Sequence, residues 1–309
     1  MAAGYRMKNT LKAGLAALVL AFTLLVTSGG VSLAQDMQRG IEAYNKGDYA
    51  TALREWKPLA EQGHAKAQHN LGLMYLEGQG VNPDYKRAYE LFLSSAEQGN
   101  AKSQHALGSM YEPDEWNMVF APGGVLRVNL TPTELSEAVR QAAKWYRKAA
   151  KQGHADALFQ LGQMQTEYSD DFKLDYLTAR NEELKLYRKA AALGHAEAQY
   201  RLGLAYHVGF GVEKNYDEAG KWYGKAAKQG YRIAASSLDE FYENGESSLR
   251  GGHYEVAFNW LRPPAEQGHA RARKLIGVLH QTIRIKSKTS EEMAKLEKLV
   301  REWLSKHPQ

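Results

Sequence analysis

Small and apolar residues recur along this chain at three- and four-residue steps. In "HAKAQHNLGLMY" the residues Ala65, Gln68, Leu71, Gly72 and Tyr75 fall on one face of a helix. "HAEAQYRLGLAY" repeats the pattern further on, and the hexapeptide "AEQGHA" occurs both at Ala60–Ala65 and at Ala265–Ala270. The glycine of that hexapeptide marks a register: Gly63, Gly99, Gly153, Gly194, Gly230 and Gly268, at spacings of 36, 54, 41, 36 and 38. Eight residues after each marker stands Leu71, Leu107, Leu161, Leu202, Leu238 or Ile276. The next position holds Gly72, Gly108, Gly162, Gly203, Asp239 and Gly277. A fixed period of this length is the signature of an array of stacked units.

Each unit reads as two helices. The marker glycine closes one helix in the left-handed conformation, and the following residues open the next. A glycine inside a helix costs about 1 kcal/mol relative to alanine. Its return in five of six units therefore predicts close approach of a neighbouring helix. The second helix is expected to start near Asp84, or near Tyr216-Asp217, and to carry aromatic residues before the next marker. Trp145-Tyr146 and Trp222-Tyr223 are such pairs, with Trp56 and Trp260 in similar places.

On these residues the chain resembles the Sel-one-like repeat (SLR) family, relatives of the tetratricopeptide repeat. Ala65–Ala96 and Ala196–Ala227 match the family pattern nearly throughout: Ala-x-Ala-Gln, Leu-Gly, Tyr, Gly-x-Gly-Val, an aromatic pair and Ala-Ala. The resemblance covers roughly residues 38–283, with the Gly-x-Gly-Val turn kept only at Gly78–Val81 and Gly209–Val212. It implies an all-α fold, an α/α superhelical solenoid of about six units whose concave surface binds proteins or peptides. The expected organisation is a signal peptide (1–34), capping helices (35–63), the solenoid (64–283, with an insertion at 113–130) and a C-terminal capping helix (284–309).

The ends and interruptions carry their own signals. "EWNMVFAPGGVLRVNL" (Glu115–Leu130) sets two β-prone runs around Ala-Pro-Gly-Gly, which predicts a hairpin. Its apolar residues either fold back onto the solenoid or protrude toward a partner. Thr131, Pro132 and Glu134 then restart a helix with a capping box. Thr289 and Glu292 suggest a second box, before an apolar stripe of Met293, Leu296, Leu299, Val300, Trp303 and Leu304 that would cover the last repeat. Gly47 and Gly252, each 16 residues before a marker, belong to two similar stretches near the ends. Residues 1–34 combine Lys8 and Lys12, the apolar run Ala13–Val26, and small residues Ser32 and Ala34 before Gln35, as in a cleaved secretory signal. Export to the periplasm or beyond is expected, with no stable membrane anchor after cleavage; a retained anchor helix is the alternative.

The net charge of +5 changes little, because three basic residues and no acid lie in the first 34. The remaining 37 basic and 35 acidic residues lack the bias of a nucleic-acid binder. With no cysteine, disulfides, thiol catalysis and a lipid-modified cysteine are excluded. His64, His154, His195 and His269 follow marker glycines and read as structural rather than as metal ligands. Asp170, Asp171 and Asp175 read as a solvated acidic loop. No catalytic residue, metal site or cofactor is expected. The third, sixth, seventh and tenth residues after each marker vary in type, as a binding groove would and as an unused solvated surface would too. Candidate partner-binding residues are accordingly His69, Asn70, Phe159, Gln160, Tyr200 and Arg201, with Trp116 and Phe120 from the insertion. The function expected is a periplasmic or secreted interaction scaffold for another envelope protein or peptide. Relatives of this kind hold signalling receptors, cell-wall enzymes or polysaccharide machinery. Two alternatives stand beside it: a cell-wall-fragment or β-lactam hydrolase, as proposed for cysteine-rich relatives, and an exported virulence factor.

Overall fold

The computed structural model describes residues 33–113, 119–121, 125–127, 130–286 and 290–308. The proposed signal, Trp116 and Thr289 therefore lie outside the described residues, except that residues 33 and 34 begin a helix. By internal contacts the chain forms two compact units, one ending at Trp145 and one starting at Tyr146. The first contains α1 (33–45), α2 (Tyr49–Glu61), α3 (Ala65–Glu77), α4 (Tyr85–Glu97), α5 (Ala101–Tyr111), β1 (Val119–Ala121) and β2 (Val125–Arg127). The helix α6 (Pro132–Lys151) contributes to both. The second contains α7 (Ala155–Glu167), α8 (Tyr176–Ala192), α9 (Ala196–Val208), α10 (Tyr216–Lys228), α11 (Arg232–Arg250), α12 (Tyr254–Glu266), α13 (Ala270–Lys286) and α14 (Glu291–Lys306). From α2 to α5, and from α7 to α14, each helix packs on the next, which is the solenoid arrangement of helix pairs. No helix among the described residues is long and apolar enough to cross a membrane.

The marker glycines end helices as expected. All six have positive φ, between 78° and 98°. At the first, Gly63 N–H donates to the Ala60 carbonyl and His64 N–H to the Leu59 carbonyl, and the same pair of bonds recurs at every marker. This double closure satisfies carbonyls that a helix end leaves free. The next residue begins the following helix. Nδ1 of His64, His154, His195 and His269 accepts from the backbone N–H three residues on, at 3.0–3.4 Å, and Asn100 does the same with its amide oxygen. The recurrent histidines are thus N-caps, held as the tautomer with a bare Nδ1.

The buried face of each first helix differs in part from the expected one. Ala67, Leu71 and Met74 are the fully buried residues of α3, whereas Ala65 and Tyr75 are only half-buried. Opposite Gly72, Gly162 and Gly203 lies the buried residue seven places before the next marker, Phe92, Tyr187 or Tyr223, and Trp56 lies in the same way opposite Gly40 of α1. A methyl group on Gly72, Gly162 or Gly203 would stand 2.7, 2.8 or 2.6 Å from a ring carbon of Phe92, Tyr187 or Tyr223. Real carbon atoms do not approach so closely, so glycine is what admits the ring. Asp239, in place of glycine, is largely exposed, and Gly245 takes over, with Leu261 filling the space where its methyl would go.

A polar ladder runs beside this apolar contact. Nε2 of Gln68, Gln104 and Gln199 donates to the carbonyl of Ala60, Ala96 and Ala191, eight residues earlier, at 3.0–3.2 Å, and Arg273 replaces the amide at Ala265. The glutamine before a marker then donates to the ladder glutamine of the preceding unit, Gln98 to Gln68 and Gln229 to Gln199, each at 2.8 Å. Buried amides satisfied in this way fix the register between units.

The insertion is the hairpin that its sequence suggested, with Val119 opposite Arg127 and Ala121 opposite Val125. β1 lies beside α5 and β2 beside α4, so the strands fold back onto the first unit. Thr131 and Glu134 form the expected capping box, Glu134 N–H donating to the Thr131 hydroxyl and Thr131 N–H to the carboxylate. Asp175 caps α8 by accepting from the N–H groups of Leu177 and Thr178. At the C-terminus Leu296, Val300 and Trp303 pack on Ile276, Leu279 and Ile283. Leu299 points outward instead, and the N-cap position of α14 is Ser290 rather than Thr289.

Gly203→Ala is expected to lower stability by about 1–3 kcal/mol in urea unfolding followed by circular dichroism. Shrinking the ring with Tyr223→Leu makes room for the added methyl, so the two losses together fall short of their sum. Strict additivity would show that ring and glycine do not compete for one space.

Candidate partner-binding surface

Positions on the first helix of each unit divide into inward and outward sets, and the structure redraws the set expected from the sequence. His69 and Phe159, both at the sixth position, are buried and belong to the packing. His69 Nδ1 sits 3.0 Å from the Ser103 hydroxyl, and Ser103 bonds onward to Ser95. Phe159 stacks between Tyr187 and His195, with ring centroids 5.2 and 4.5 Å away. Neither presents a contact surface: both side chains are buried against the neighbouring helices. Tyr200, also at the sixth position, is half-buried against Tyr223 and Tyr231. Gln160 is half-buried, Phe120 lies on β1, and Trp116 is outside the described residues.

The seventh and tenth positions face outward and line clefts. In the first unit a cleft of about 220 Å³ is bounded by Ile41, Tyr44 and Asn45 of α1, Trp56 of α2, Asn70 and Leu73 of α3, and Lys102 of α5. Asn70 is a seventh residue, Leu73 a tenth and Lys102 a third. The Trp56 indole is spent in the floor, donating to the Met37 carbonyl at 3.3 Å. The Tyr44 ring packs on Trp56 at 5.5 Å, and its hydroxyl donates to Glu77 at 3.5 Å. Partial burial, and secondly the Glu77 charge, push the Tyr44 phenol above its ordinary pKa.

In the second unit a cleft of about 180 Å³ lies between α8 and α9. Arg201 (a seventh residue), Leu204 (a tenth) and Val208 form one wall, and Arg180, Leu184 and Tyr187 the other. The buried Glu183 carboxylate pairs with Arg180, whose guanidinium also sits 3.9 Å from the Phe210 ring centroid. Burial, followed by the Glu183 charge, pushes the Tyr187 phenol far up, so it stays a neutral donor at any physiological pH. Arg201 leans on Glu197 at 3.1 Å and keeps its remaining donors for the cleft.

Of the expected residues, then, Asn70 and Arg201 reach clefts, in separate units. Lys102, Leu73 and Leu204 were within reach of sequence reasoning, because they occupy the third and tenth positions already seen to vary. Tyr44 and Phe210 carried no such signal: one lies in a helix ahead of the first marker, the other inside a Gly-x-Gly turn.

Stacked helix pairs with glycine stops and outward-facing variable positions define a tetratricopeptide-like helical repeat protein. The Sel1 repeat family model matches residues 65–100, 138–154, 184–195, 196–231 and 231–269, and the chain is a helical repeat protein of this Sel1-like type. A Sel1 repeat protein from Oxalobacter formigenes is 28% identical over 89% of this chain and 97% of its own, with a TM-score of 0.51. The protein c5321, a protective antigen of uropathogenic Escherichia coli with an SLR fold, is 26% identical over 86% of this chain and 59% of its own (TM-score 0.36). The immunity protein Pa5087 from Pseudomonas aeruginosa is 22% identical over 70% and 74%, with a TM-score of 0.39. No curated protein matches the sequence.

Two histidines of the second unit give it a pH dependence. Burial lowers the pKa of His195 against the opposing pull of Asp156 and Glu197. Burial also lowers that of His207, which is boxed by Tyr216, Phe241 and Trp260, with Glu240 opposing the shift and Lys214 adding to it. Both are lower in the folded state than in the unfolded chain, so their contribution is complete above about pH 6.5 and is lost as pH falls through the folded values. The melting temperature is expected to drop from pH 7 toward pH 5. His195→Asn, which keeps a cap, combined with His207→Gln should flatten that drop; an unchanged slope would remove these residues as its source.

Proposed function

We propose that this protein is an exported interaction scaffold that holds another envelope protein or peptide against the outward positions of its first helices. The observation that carries the reading is the coincidence of two independent facts. The seventh and tenth positions are among those at which the repeats differ from one another, and Asn70, Leu73, Arg201 and Leu204 at those positions line clefts in both units. A binding surface needs both concavity and variable side chains, and these positions combine the two. The family resemblance supports the same reading, since Sel1 repeat proteins generally act as protein-interaction scaffolds. Export rests on residues 1–34, whose basic start, apolar run and small-residue end have the order of a secretory signal.

Site-specific photo-cross-linking in the native host tests the surface. A benzophenone residue at position 70 or 201 is expected to give discrete adducts with a partner protein. The same residue at Lys189, exposed on α8, should give none. Adducts at 189 but not at 70 or 201 would refute the assignment of the surface. N-terminal sequencing of the mature protein from the periplasmic fraction is expected to begin at Gln35.

A further inference from the structure

Two neighbouring marker turns of the second unit depart from the repeat in the same direction. The residue before a marker is glutamine in five of six cases, and Gln98 and Gln229 donate from there to the preceding unit. Before Gly194 it is Leu193, which has no amide to donate and is 54% exposed. After Gly230 three residues change together. Tyr231 makes no side-chain cap, and Arg232 stands where every other marker is followed by alanine. Ile233, also 54% exposed, occupies the place of Lys66, Lys102, Asp156, Glu197 and Arg271. The positive charge of Arg232 sits at the N-terminus of α11, where the helix dipole opposes it. The repeat's own packing gains nothing from Leu193, Arg232 or Ile233. The two turns adjoin through the Gln229–Gln199 bond at 2.8 Å and the Tyr200–Tyr231 ring contact at 5.3 Å. Exposed Lys151, Lys189 and Lys228 end α6, α8 and α10 along the same edge of the unit. Lysines there complement the helix dipole, but none of the three, nor Arg232, forms an ion pair with a described residue. Asp156 and Glu197, in the first turns of α7 and α9, are engaged by His195 at 3.5 Å and Arg201 at 3.1 Å.

We infer that this edge docks reversibly on an anionic lipid surface, with Leu193 and Ile233 entering the headgroup layer and the four cations meeting lipid phosphates. An apolar side chain at a turn, flanked by cations, is stabilised by a layer that is anionic outside and apolar just beneath. A soluble polyanion supplies the charge without the apolar layer. The buried core of a protein interface is depleted in lysine, whereas here lysines and apolar tips alternate along the edge. None of the six residues lines either cleft described above. The inference therefore stands apart from the scaffold reading and leaves both clefts free for a partner.

The test is co-sedimentation of the full mature chain with vesicles of phosphatidylcholine, or of phosphatidylcholine and phosphatidylglycerol in equal parts. Binding is expected on the mixed vesicles only, and to fall as salt is raised. Lys189→Ala with Lys228→Ala should weaken it about 25-fold, the scale of two cations at an anionic surface. Leu193→Gln with Ile233→Lys restores residues that the repeat uses elsewhere and adds a positive charge, yet should weaken binding about tenfold. Lys57→Ala with Lys66→Ala, the same loss of charge at exposed sites of the first unit, should leave binding unchanged. Because the chain has no cysteine, Leu193→Cys accepts a single nitrobenzoxadiazole label, whose emission is expected to brighten on the mixed vesicles. Far-ultraviolet circular dichroism of each variant checks that the fold is retained. No binding to mixed vesicles, equal binding to both kinds, or an equal loss in the Lys57 and Lys66 variant would overturn the inference. So would binding untouched by Leu193→Gln with Ile233→Lys, which marks a site for any polyanion. Discrete protein adducts from a benzophenone at position 189 would also overturn it, by giving the edge a protein occupant. Cross-linking from positions 70 and 201 that persists alongside failed vesicle binding would leave the scaffold reading intact and remove only the lipid contact.

Discussion

The contact between an in-helix glycine and the large side chain seven residues before the next marker sets the geometry of each helix pair. Removing a side chain from the first helix lets a ring from the second lie directly on its backbone, so the two rods approach more closely than two leucines would allow. The helix accepts a glycine cost of about 1 kcal/mol, and the burial of a whole aromatic ring, worth about 1.5–3 kcal/mol, more than offsets it. The fifth of the six units is instructive because the rule survives a change of address. With Asp239 exposed, Gly245 and Leu261 make the equivalent contact, and α11 extends to Arg250 to reach it.

Around that contact, every short motif of the repeat has a mechanical role. The marker glycine stops one helix, the following histidine or asparagine caps the next at every marker but Gly230, where Tyr231 makes no side-chain cap, and the glutamines on either side tie adjacent units through amide hydrogen bonds. The buried polar groups Gln68, Gln104 and Gln199 would be costly without partners, and each has one. At His195 the cap carries a chemical consequence, since burial lowers the imidazole pKa and protonation at Nδ1 destroys the acceptor that caps α9. Architecture and acid sensitivity there share one side chain.

Function is left to what this machinery does not use. After the fifth, eighth and ninth positions are committed to the core, the third, seventh and tenth remain free to differ between units. Those are the places where clefts open, carrying amides and an ammonium in one unit and guanidinium groups with a buried carboxylate in the other. A repeat array can change its ligand chemistry at these positions while the spine is left alone, because neighbouring units contact one another through other residues.

The sequence by itself determined the helix pairs, their register, the glycine stops, the hairpin insertion and the C-terminal cover. All of these follow from periodicity and local turn chemistry, which act between residues near one another in the chain. Tertiary structure alone decided that His69 and Phe159 are interior, that Gly245 replaces Asp239, and that Tyr44, Asn70 and Lys102 from three different helices share one cleft. Burial at a given helical position depends on how the adjacent helix leans across it, and a cleft exists only between helices. Neither quantity has a local signature.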